Sequence, residues 1–289
     1  MNSQKSYQTE QPTLYVVPTP IGNLEDMTYR AVRTLQEVDL IAAEDTRQTM
    51  KLCRHFEIPT KLISYHEHNK EVSGPRLIED LLAGKSVAVV SDAGMPGISD
   101  PGSDLVRLAI EANIPVVVLP GANAALTALV ASGLPTERFL YYGFLPRKKK
   151  DRIDVLESIQ YELGTIVFYE APHRLKEMLT AIRQVFGNRQ LVLGRELTKT
   201  FEEFLRGSVD EALQWCEGEV RGEFVVLVSG ATEAAPTTMW WEALSVYEHV
   251  VHYIEEGLKP NAAIKQTAKD RGESRNDVYD AYHQLHKKE

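Results

Sequence analysis

The stretch SDAGMPGISDPG, residues 91–102, decides the fold. It directly follows the apolar run VAVV of residues 87–90, which has no polar residue at alternate positions. Such a run is typical of a strand that is covered on both faces in a parallel sheet. The stretch contains three glycines and two prolines. Glycine lets backbone groups approach a ligand closely and proline stiffens a loop, so we expect a rigid binding loop at the end of a central strand.

On either side of this strand, short β-rich runs alternate with helical patterns. We predict strands over residues 14–17, 40–43, 61–65, 86–90, 115–119, 165–169, 191–193 and 224–228. Helices are predicted over 28–36, 104–112, 122–131, 174–186 and 209–217. The alternation predicts an α/β fold with a mostly parallel N-terminal sheet, in which strands 87–90 and 116–118 are both central.

The 289 residues are enough for two domains and an appendage. We predict a flexible N-terminal tail over 1–12, an N-terminal α/β domain over 13–120 and a second α/β domain over 121–230, with antiparallel strands as an option in the second. Residues 231–238 are predicted as a linker, and residues 239–289 as a small C-terminal helical appendage.

Composition excludes several classes of protein. Cys53 and Cys216 are far apart, with no histidine or cysteine at metal-ligand spacing, which argues against a disulfide framework and against a metal site. The N-terminus has no apolar core, and no run of about 18 uncharged apolar residues follows. These features indicate a cytoplasmic protein without a membrane anchor. The net charge of -9 means that nucleic-acid binding would need a local basic patch.

Two further loops follow predicted strands, at residues 18–23 (PTPIGN) and 120–125 (PGANAA). In an open parallel sheet, ligands bind beyond the carboxyl ends of the strands. The P-loop pattern fails because Glu79 stands where its first glycine is required, and the G-x-G-x-x-G pattern is absent. The loops therefore favour a ligand without a polyphosphate, such as an adenosyl group with an amino-acid tail. Taken singly, each loop is also compatible with a plain turn.

Six motifs in order carry a family resemblance: VPTPIGNLEDMT (17–28), LIAAEDTR (40–47), SDAGMPGISDPG (91–102), LPGANAALTALVASGLP (119–135), FYEAPHRL (168–175) and GRELTKTFEE (194–203). Together they resemble the tetrapyrrole methylase superfamily of S-adenosylmethionine enzymes. Within it, the chain resembles the ribosomal RNA small subunit methyltransferase I group, which methylates a cytidine 2′-hydroxyl in 16S rRNA. The EDTR, FYE-x-x-HR and RELTKT elements separate this group from the tetrapyrrole methylases proper.

The resemblance implies a two-domain tetrapyrrole-methylase-like fold, a homodimer and S-adenosylmethionine bound between the domains. The main cofactor loop of the family corresponds to residues 92–98, where Ser91-Asp92-Ala93 stands in place of the more common Gly-Asp-Pro. Asp92 is the clearest polar contact. The cofactor-binding residues that the resemblance implies are Pro20, Gly22, Asp92, Ala93, Gly94, Pro96, Gly97, Ile98, Pro120, Gly121, Ala122, Asn123, Tyr169, Glu170 and Gly194.

Methylation of a hydroxyl is helped by a general base within hydrogen-bond reach. The candidates are Glu44, His66, His68 and Glu170, all of which follow predicted strands. Each also has a structural interpretation. The histidines can be surface or capping groups, and Glu170 can pair with Arg174. Next to Glu44, Thr46 can cap the helix that runs toward Phe56.

Basic residues indicate where RNA can bind. The run RKKKDR, residues 147–152, is the clearest candidate in this acidic chain, although such a run can also be a solvated loop. Near the C-terminus, two short helices around Gly272, the second capped by Ser274, resemble a helix-turn-helix, and a plain helical hairpin is the alternative. The predicted RNA-binding residues are Arg47, Arg147, Lys148, Lys149, Lys150, Arg152, Arg174, Lys199 and Arg275.

The leading hypothesis is an S-adenosylmethionine-dependent methyltransferase that modifies a cytidine ribose in the decoding region of 16S rRNA, within the small ribosomal subunit. One alternative is a small-molecule methylase of the tetrapyrrole type, which would need neither the basic run nor the C-terminal helices. The other is a noncatalytic RNA-binding factor for ribosome assembly, which would not bind S-adenosylmethionine.

Overall fold

The computed structural model describes Gln4, Lys5, residues 11–234 and residues 239–286. The chain forms two compact units, Met1–Ala234 and Ala235–Glu289. The tail predicted over 1–12 and the linker predicted over 231–238 lie partly outside the described residues. Of the tail, Gln4 exchanges two hydrogen bonds with the backbone of Val116, at 2.7 and 3.0 Å. The four boundaries between the five predicted segments stay predictions.

The first sheet has five strands: β1 (Leu14–Val16), β2 (Leu40–Ala43), β3 (Lys61–Ser64), β4 (Val87–Val90) and β5 (Val116–Val118). Their order is β3-β2-β4-β1-β5, and every pairing between them is parallel. The predicted parallel N-terminal sheet is therefore confirmed. All five carboxyl ends, and the loops that follow them, lie at one edge of this sheet.

Helices cover both faces of the first sheet: α1 (Tyr29–Glu37), α2 (Thr46–His55), α3 (Lys70–Leu82) and α4 (Ser103–Glu111). On β4, Val87 and Val89 pack into the core with α3 and α4. Ala88 and Val90 pack into the core on the opposite face with α1 and α2. This burial on both faces explains the unbroken apolar run of β4.

The position of β5 differs from the prediction. The run of three valines, residues 116–118, was expected in the centre of the sheet, but β5 lies at its edge. Val117 is buried, whereas Val118 is 55% exposed. The apolar pattern of a short strand indicates that some of its side chains are buried. It does not indicate whether the strand pairs with another strand on both of its sides.

The second sheet also has five strands: β6 (Phe139–Phe144), β7 (Thr165–Glu170), β8 (Gln190–Arg195), β9 (Glu203–Ser208) and β10 (Phe224–Val228). Their order is β6-β7-β10-β8-β9. Strands β6 and β7 are parallel, and the other pairings are antiparallel. The sheet is therefore mixed, which agrees with the option of antiparallel strands in this part of the chain.

One helix packs on the side of this sheet that carries Val167 and Val225, namely α5 (Ala124–Ser132). The opposite side is covered by α6 (Lys149–Ile159), α7 (Pro172–Phe186) and α8 (Val209–Trp215). The predicted elements are present, with ends within two residues of their predicted positions. The sequence patterns do not predict β6, β9, α3 or α6.

The second unit contains α9 (Val246–Glu255), α10 (Pro260–Arg271) and α11 (Arg275–His286). Its core includes Val250, Ile264 and Val278. Gly272 ends α10 with φ +64°, and the Ser274 hydroxyl accepts the N–H of Asp277 at 3.2 Å, as the predicted cap requires. None of the helices that the structure describes is long and apolar enough to cross a membrane.

Candidate functional site in the cleft between the two sheets

Two cavities occupy a cleft between the carboxyl edge of the first sheet and the loops of the second sheet. The first cavity has a volume of about 460 Å³, and the second cavity has a volume of about 580 Å³. Four residues line both cavities, so the two adjoin: Ile21, Ala93, Lys199 and Glu223. The candidate site therefore lies where an open parallel sheet is expected to bind its ligand.

The loops after β1 and β4 are paired with each other. Thr19 and Gly94 exchange two backbone hydrogen bonds, each 2.9 Å long. The buried hydroxyl of Thr19 also donates to the carbonyl of Ser91 at 3.1 Å. Gly94 has φ +80°, a conformation that side chains disfavour. The rigidity predicted for residues 91–102 thus comes from this pairing as well as from the two prolines.

Nine of the predicted cofactor contacts line the two cavities. The first cavity is lined by Ala93, Gly94, Ile98, Asn123, Tyr169 and Glu170. The second cavity is lined by Pro20, Gly22, Asp92 and again Ala93. The side chain of Asn123 caps α5 by accepting the N–H of Leu126 at 3.0 Å, which holds the start of this helix at the cavity wall.

Among the described residues, six predicted cofactor contacts line neither cavity: Pro96, Gly97, Pro120, Gly121, Ala122 and Gly194. Gly121 packs against Pro18, because a Cβ on this glycine would lie 2.7 Å from the Cβ of that proline. Gly194 is buried beneath α5, where an added Cβ would lie 3.5 Å from the Cβ of Ala128. The two glycines therefore allow the loops and elements around the cavities to pack closely.

Three carboxyl groups lie together near the junction of the cavities. The N–H of Asp92 donates to Oε2 of Glu44 at 3.4 Å, and the N–H of Asp45 donates to Oδ1 of Asp92 at 3.0 Å. Burial raises the pKa of Glu44. Burial, assisted by the charges of Glu44 and Asp92, raises the pKa of Asp100 to about 7. Asp100 lines the first cavity and can therefore exchange a proton near neutral pH.

The start of α2 differs from its predicted capping. Asp45, and not Thr46, is the N-cap, since its carboxylate accepts the N–H of Arg47 at 2.8 Å. The Arg47 guanidinium also forms two hydrogen bonds to this carboxylate, at 3.0 and 2.6 Å. These bonds hold the pKa of Asp45 at about 2. Arg47 is exposed at the surface but already has a carboxylate partner.

The two candidate histidines do not reach the cavities. His66 is half-buried, and its Nδ1 has no hydrogen-bond partner among the described residues. His66 lies close enough to Glu44 for their charges to interact. His68 is exposed, with its ring centroid 6.1 Å from that of His66. Neither His66 nor His68 is among the described residues that line the cavities.

Glu170 lies in the wall of the first cavity with only 2% of its surface exposed. Its Oε1 accepts the N–H of Ala171 at 2.9 Å and lies 3.4 Å from Nε of Arg174. Its Oε2 is buried without a partner among the described residues. Burial raises the pKa of Glu170, and the Ala171 bond and the Arg174 charge oppose this shift. The pairing with Arg174 that the sequence allows is therefore present, and the other carboxylate oxygen has no partner in the part of the chain that the structure describes.

Tyr169 joins α5 to the second sheet beside the first cavity. Its hydroxyl accepts the N–H of Ala125 at 3.1 Å. Burial raises the pKa of this phenol, so Tyr169 is neutral at physiological pH. The neighbouring Tyr141 hydroxyl lies 2.6 Å from the hydroxyl of Ser99, which belongs to the loop after β4. These contacts connect the loop after β4 to the second sheet.

The basic run divides into exposed and buried residues. Arg147, Lys148, Lys149 and Lys150 are exposed, and α6 begins at Lys149. Arg152 is buried instead, lying 3.3 Å from the carboxylate of Glu177. The predicted exposed cluster therefore excludes Arg152. Lys149 and Lys150 lie in the first turn of α6, whereas Arg147 and Lys148 lie in the bend that precedes it.

The remaining predicted RNA contacts are placed differently. Arg174 is mostly buried and donates to the carbonyl of Leu145 at 2.7 Å, in addition to its pairing with Glu170. Lys199 lines both cavities, where its ammonium group pairs with Glu196 at 3.1 Å and Glu223 at 2.9 Å. Arg275 is exposed at the start of α11 in the second unit.

Several residues that line the first cavity are not among the predicted contacts: Met95, Asp100, Phe144, His173, Leu197 and Val225. Met95 and Asp100 belong to the stretch that the sequence singles out. Leu197 follows the strand β8, and Val225 belongs to β10, which crosses beneath the cavity. Apolar residues of a strand look alike whether they face a core or a ligand, so Val225 has no distinguishing signal in the sequence. No group of three or more described histidine, cysteine or acidic residues is arranged to hold a metal ion.

Comparison with known proteins adds to this geometry. Residues 13–213 match the family model of the tetrapyrrole (corrin/porphyrin) methylases. A protein of Halalkalibacterium halodurans, ribosomal RNA small subunit methyltransferase I, is 57% identical over 98% of this chain and 100% of its own length. A protein of the same name from Bacillus subtilis is 53% identical over 96% of both chains.

Solved structures share the fold at low sequence identity. Diphthine synthase matches with a TM-score of 0.60 and 14% identity, over 75% of this chain and 90% of the other. Uroporphyrin-III C-methyl transferase from Thermus thermophilus, complexed with S-adenyl homocysteine, matches with a TM-score of 0.54 and 19% identity, over 75% and 97%. At this identity the likeness concerns the fold alone.

Proposed function

Because the chain belongs to the ribosomal RNA small subunit methyltransferase I family within the tetrapyrrole methylases, we propose that it methylates the ribose 2′-hydroxyl of a cytidine in the decoding region of 16S rRNA, with S-adenosylmethionine as the methyl donor. Family membership confirms the predicted family resemblance, the predicted fold and the predicted methyltransferase class. The observation that carries the proposed substrate is the full-length similarity to relatives of that name.

The first cavity fits S-adenosylmethionine. Its volume of about 460 Å³ lies in the range of small-molecule sites. Leu197, Val225 and the ring of Tyr169 provide apolar surface for an adenine ring. The buried Oε2 of Glu170 has no hydrogen-bond partner among the described residues, and a hydroxyl or ammonium group of the ligand would satisfy it once this side chain turns toward the cavity. We propose Glu170 as a cofactor-binding residue for this reason.

Bound in this cavity, S-adenosylmethionine supplies an electrophilic methyl group: the 2′-oxygen bonds to its carbon while the carbon–sulfur bond breaks, leaving the electron pair on sulfur. The chain holds the two reactants in line and accepts the hydroxyl proton. Holding the two reactants in the reactive geometry can by itself lower the activation barrier by about 7 to 11 kcal/mol. Glu44 is the proposed proton acceptor, because its Oε2 accepts the N–H of Asp92, which lines the second cavity, and because burial raises its pKa. Like His66 and His68, Glu44 does not itself line either cavity, and the hydrogen bond to Asp92 is what distinguishes it.

The exposed basic cluster supports RNA binding. Phe144 lines the first cavity, and Arg147 follows it by three residues. Three residues span at most about 11 Å, so the cluster begins close to the cavity. Arg147, Lys148, Lys149 and Lys150 therefore provide positive charge beside the site, which RNA phosphates require. Because the second unit is a separate helical body, the role of Arg275 in RNA binding is an independent proposal.

We also propose a homodimer that acts in the cytoplasm on the small ribosomal subunit. Leu126 and Val130 of α5 are 50% and 78% exposed, and Val118 of the edge strand is 55% exposed. Apolar side chains that are exposed on neighbouring elements are common at subunit interfaces. Size-exclusion chromatography with light scattering tests this state, and Val130→Glu is expected to shift the mass toward the monomer.

The decisive experiment compares ribose methylation in small-subunit RNA from cells with and without this protein by mass spectrometry. Loss of the 2′-O-methyl group from one cytidine, and its restoration by the purified protein with S-adenosylmethionine, is the expected result. Unchanged ribose methylation at every cytidine would contradict the proposal. Calorimetric titration then tests the noncatalytic alternative, which predicts no binding of S-adenosylmethionine at millimolar concentration.

A further inference from the structure

The second cavity has no assigned ligand. It lies against the first turns of α2 and adjoins the first cavity through Ile21, Ala93, Lys199 and Glu223. Methyl transfer between two bound molecules requires two adjoining sites, with the reacting atoms about 3 to 3.5 Å apart. A pair of cavities with a shared wall meets that requirement, whereas a single cavity would have to hold both reactants.

The two cavities differ in the chemistry of their walls. The first cavity combines the aliphatic and aromatic wall that suits the methyl donor with charged residues such as Asp100 and Glu170, whereas no aromatic residue is among the described residues that line the second cavity. The second cavity is lined by side chains that carry donors and acceptors, among them Gln48, Lys51 and Asp92. Its volume of about 580 Å³ is ample for one nucleotide. RNA-modifying proteins commonly read a nucleotide that is splayed out of its helix, through hydrogen bonds to its base.

Helix α2 directs one face toward the second cavity. Gln48, Lys51 and Leu52 are spaced i, i+3 and i+4, which places them on the same side of a helix. The ammonium group of Lys51 donates to Oε1 of Gln48 at 3.0 Å. The amide NH₂ of Gln48 is therefore the group that this side chain has available for a ligand. Met50 and Arg54 are exposed residues of the same helix that do not line the cavity.

The position of α2 is fixed relative to the loop after β4. Asp45 caps the helix with its side chain, and its own N–H donates to Asp92. Asp92 lines the second cavity, and its neighbour Ala93 lines both cavities. The face of α2 that carries Gln48 and Lys51 is thus tied to the loop that borders the methyl donor.

We propose that the second cavity is the acceptor site, which holds the nucleotide to be methylated, and that Gln48 and Lys51 bind its base and its phosphate. Gln48 donates from its amide to an acceptor on the cytosine ring, and Lys51 supplies a positive charge to a phosphate. The 2′-hydroxyl then points to the shared wall, where the methyl group is delivered. This inference rests on the proposed RNA methylation.

The test measures methylation kinetics on small-subunit RNA substrate, together with the calorimetric Kd of S-adenosylmethionine. Gln48→Leu and Lys51→Gln are each expected to lower kcat/KM for RNA by roughly tenfold, the effect of losing one strong hydrogen bond or ion contact. The Kd of S-adenosylmethionine should stay within about twofold of wild type. Met50→Gln and Arg54→Gln are the matched controls, and both should behave as wild type.

Three outcomes separate the possibilities. If the wild-type protein methylates no RNA, the proposed function fails. If it methylates RNA and the Gln48 and Lys51 variants keep wild-type kcat/KM, the acceptor site is wrong and the function stands. If these variants weaken S-adenosylmethionine binding by the same factor as they lower kcat/KM, the second cavity belongs to the methyl donor, and the inference is overturned.

Discussion

Neutralising the exposed lysines of α6 should reduce the salt dependence of RNA binding. The change is Lys148→Gln, Lys149→Gln and Lys150→Gln in one variant. Each exposed lysine can neutralise at most one phosphate, and each lost contact makes the slope of log K against log salt shallower by about 0.7 to 0.9. Three lost contacts change the slope by about 2.1 to 2.7. Arg152 is not counted, because its guanidinium is buried beside Glu177.

When salt rises from 50 to 200 mM, the wild-type protein should therefore lose about 20 to 40 times more of its RNA affinity than the variant does. Fluorescence anisotropy with a labelled fragment of small-subunit RNA measures both slopes. Little loss of stability is expected, since these side chains are exposed and Lys148 caps α6 without a side-chain hydrogen bond. The Kd of S-adenosylmethionine should not change.

The matched control removes three positive charges elsewhere, by Arg33→Gln, Lys61→Gln and Lys85→Gln. Lys61 begins β3 and Lys85 precedes β4, so both lie at the amino ends of the strands, away from the cleft. This variant has the same net charge and should keep the wild-type slope. If both variants lower the slope equally, net charge is responsible, and the cluster on α6 is not the RNA contact. An unchanged slope in the lysine variant would lead to the same conclusion.

Three further perturbations follow from the geometry. Arg174→Met leaves the buried carboxylate of Glu170 without its ion partner, so calorimetry at pH 7 should show a loss of about 3 to 5 kcal/mol in the free energy of unfolding. Adding Glu170→Gln should recover most of this loss, and no loss in the single variant would mean that the pair is not coupled. Gly121→Ala drives a methyl group against Pro18 and should cost about 1 to 3 kcal/mol, with weaker S-adenosylmethionine binding in titration; wild-type affinity would show that the loop tolerates the displacement. The folded-state pKa of Asp100 lies near 7, above its usual value of 3.8, so its ionisation destabilises the folded state, and stability should fall as pH rises from about 4 to 7 and level off above; Asp100→Asn should weaken this dependence in urea titrations, and an identical pH profile would contradict the assigned pKa.

Strands with unbroken apolar runs are predictable from the sequence, because burial on both faces removes the need for polar residues. Strand β4 and its loop are found where they are predicted. Strand β9 is not predictable in this way, since Glu203 and Arg206 interrupt its apolar residues and it lies at the edge of the second sheet. The edge position of β5 also has no local signal, because strand order depends on contacts between distant parts of the chain.

The candidate site shows the same division. The loop residues Asp92, Ala93 and Gly94 are predictable from their position after a strand of an open parallel sheet, where ligands bind, since glycine and proline alone would indicate only a turn. The opposite wall is not, because Leu197 and Val225 come from the second sheet and resemble core residues. The buried pairing of Arg152 is equally hidden, since a run of charges gives no indication of which member turns inward. The pairing of Arg174 with Glu170 is predictable, because the two residues are spaced i, i+4.

The chain passes from the first sheet to the second between β5 and α5, at residues 119–123. Strand β5 belongs to one sheet, whereas α5 packs on the other. Any change in the angle between the sheets must therefore rotate the backbone of this short connection, in which proline fixes one torsion at residue 120. Asn123, at its end, lines the first cavity. Widening or narrowing of the cleft is thus mechanically linked to the pocket wall, and a ligand that presses on Asn123 resists that rotation.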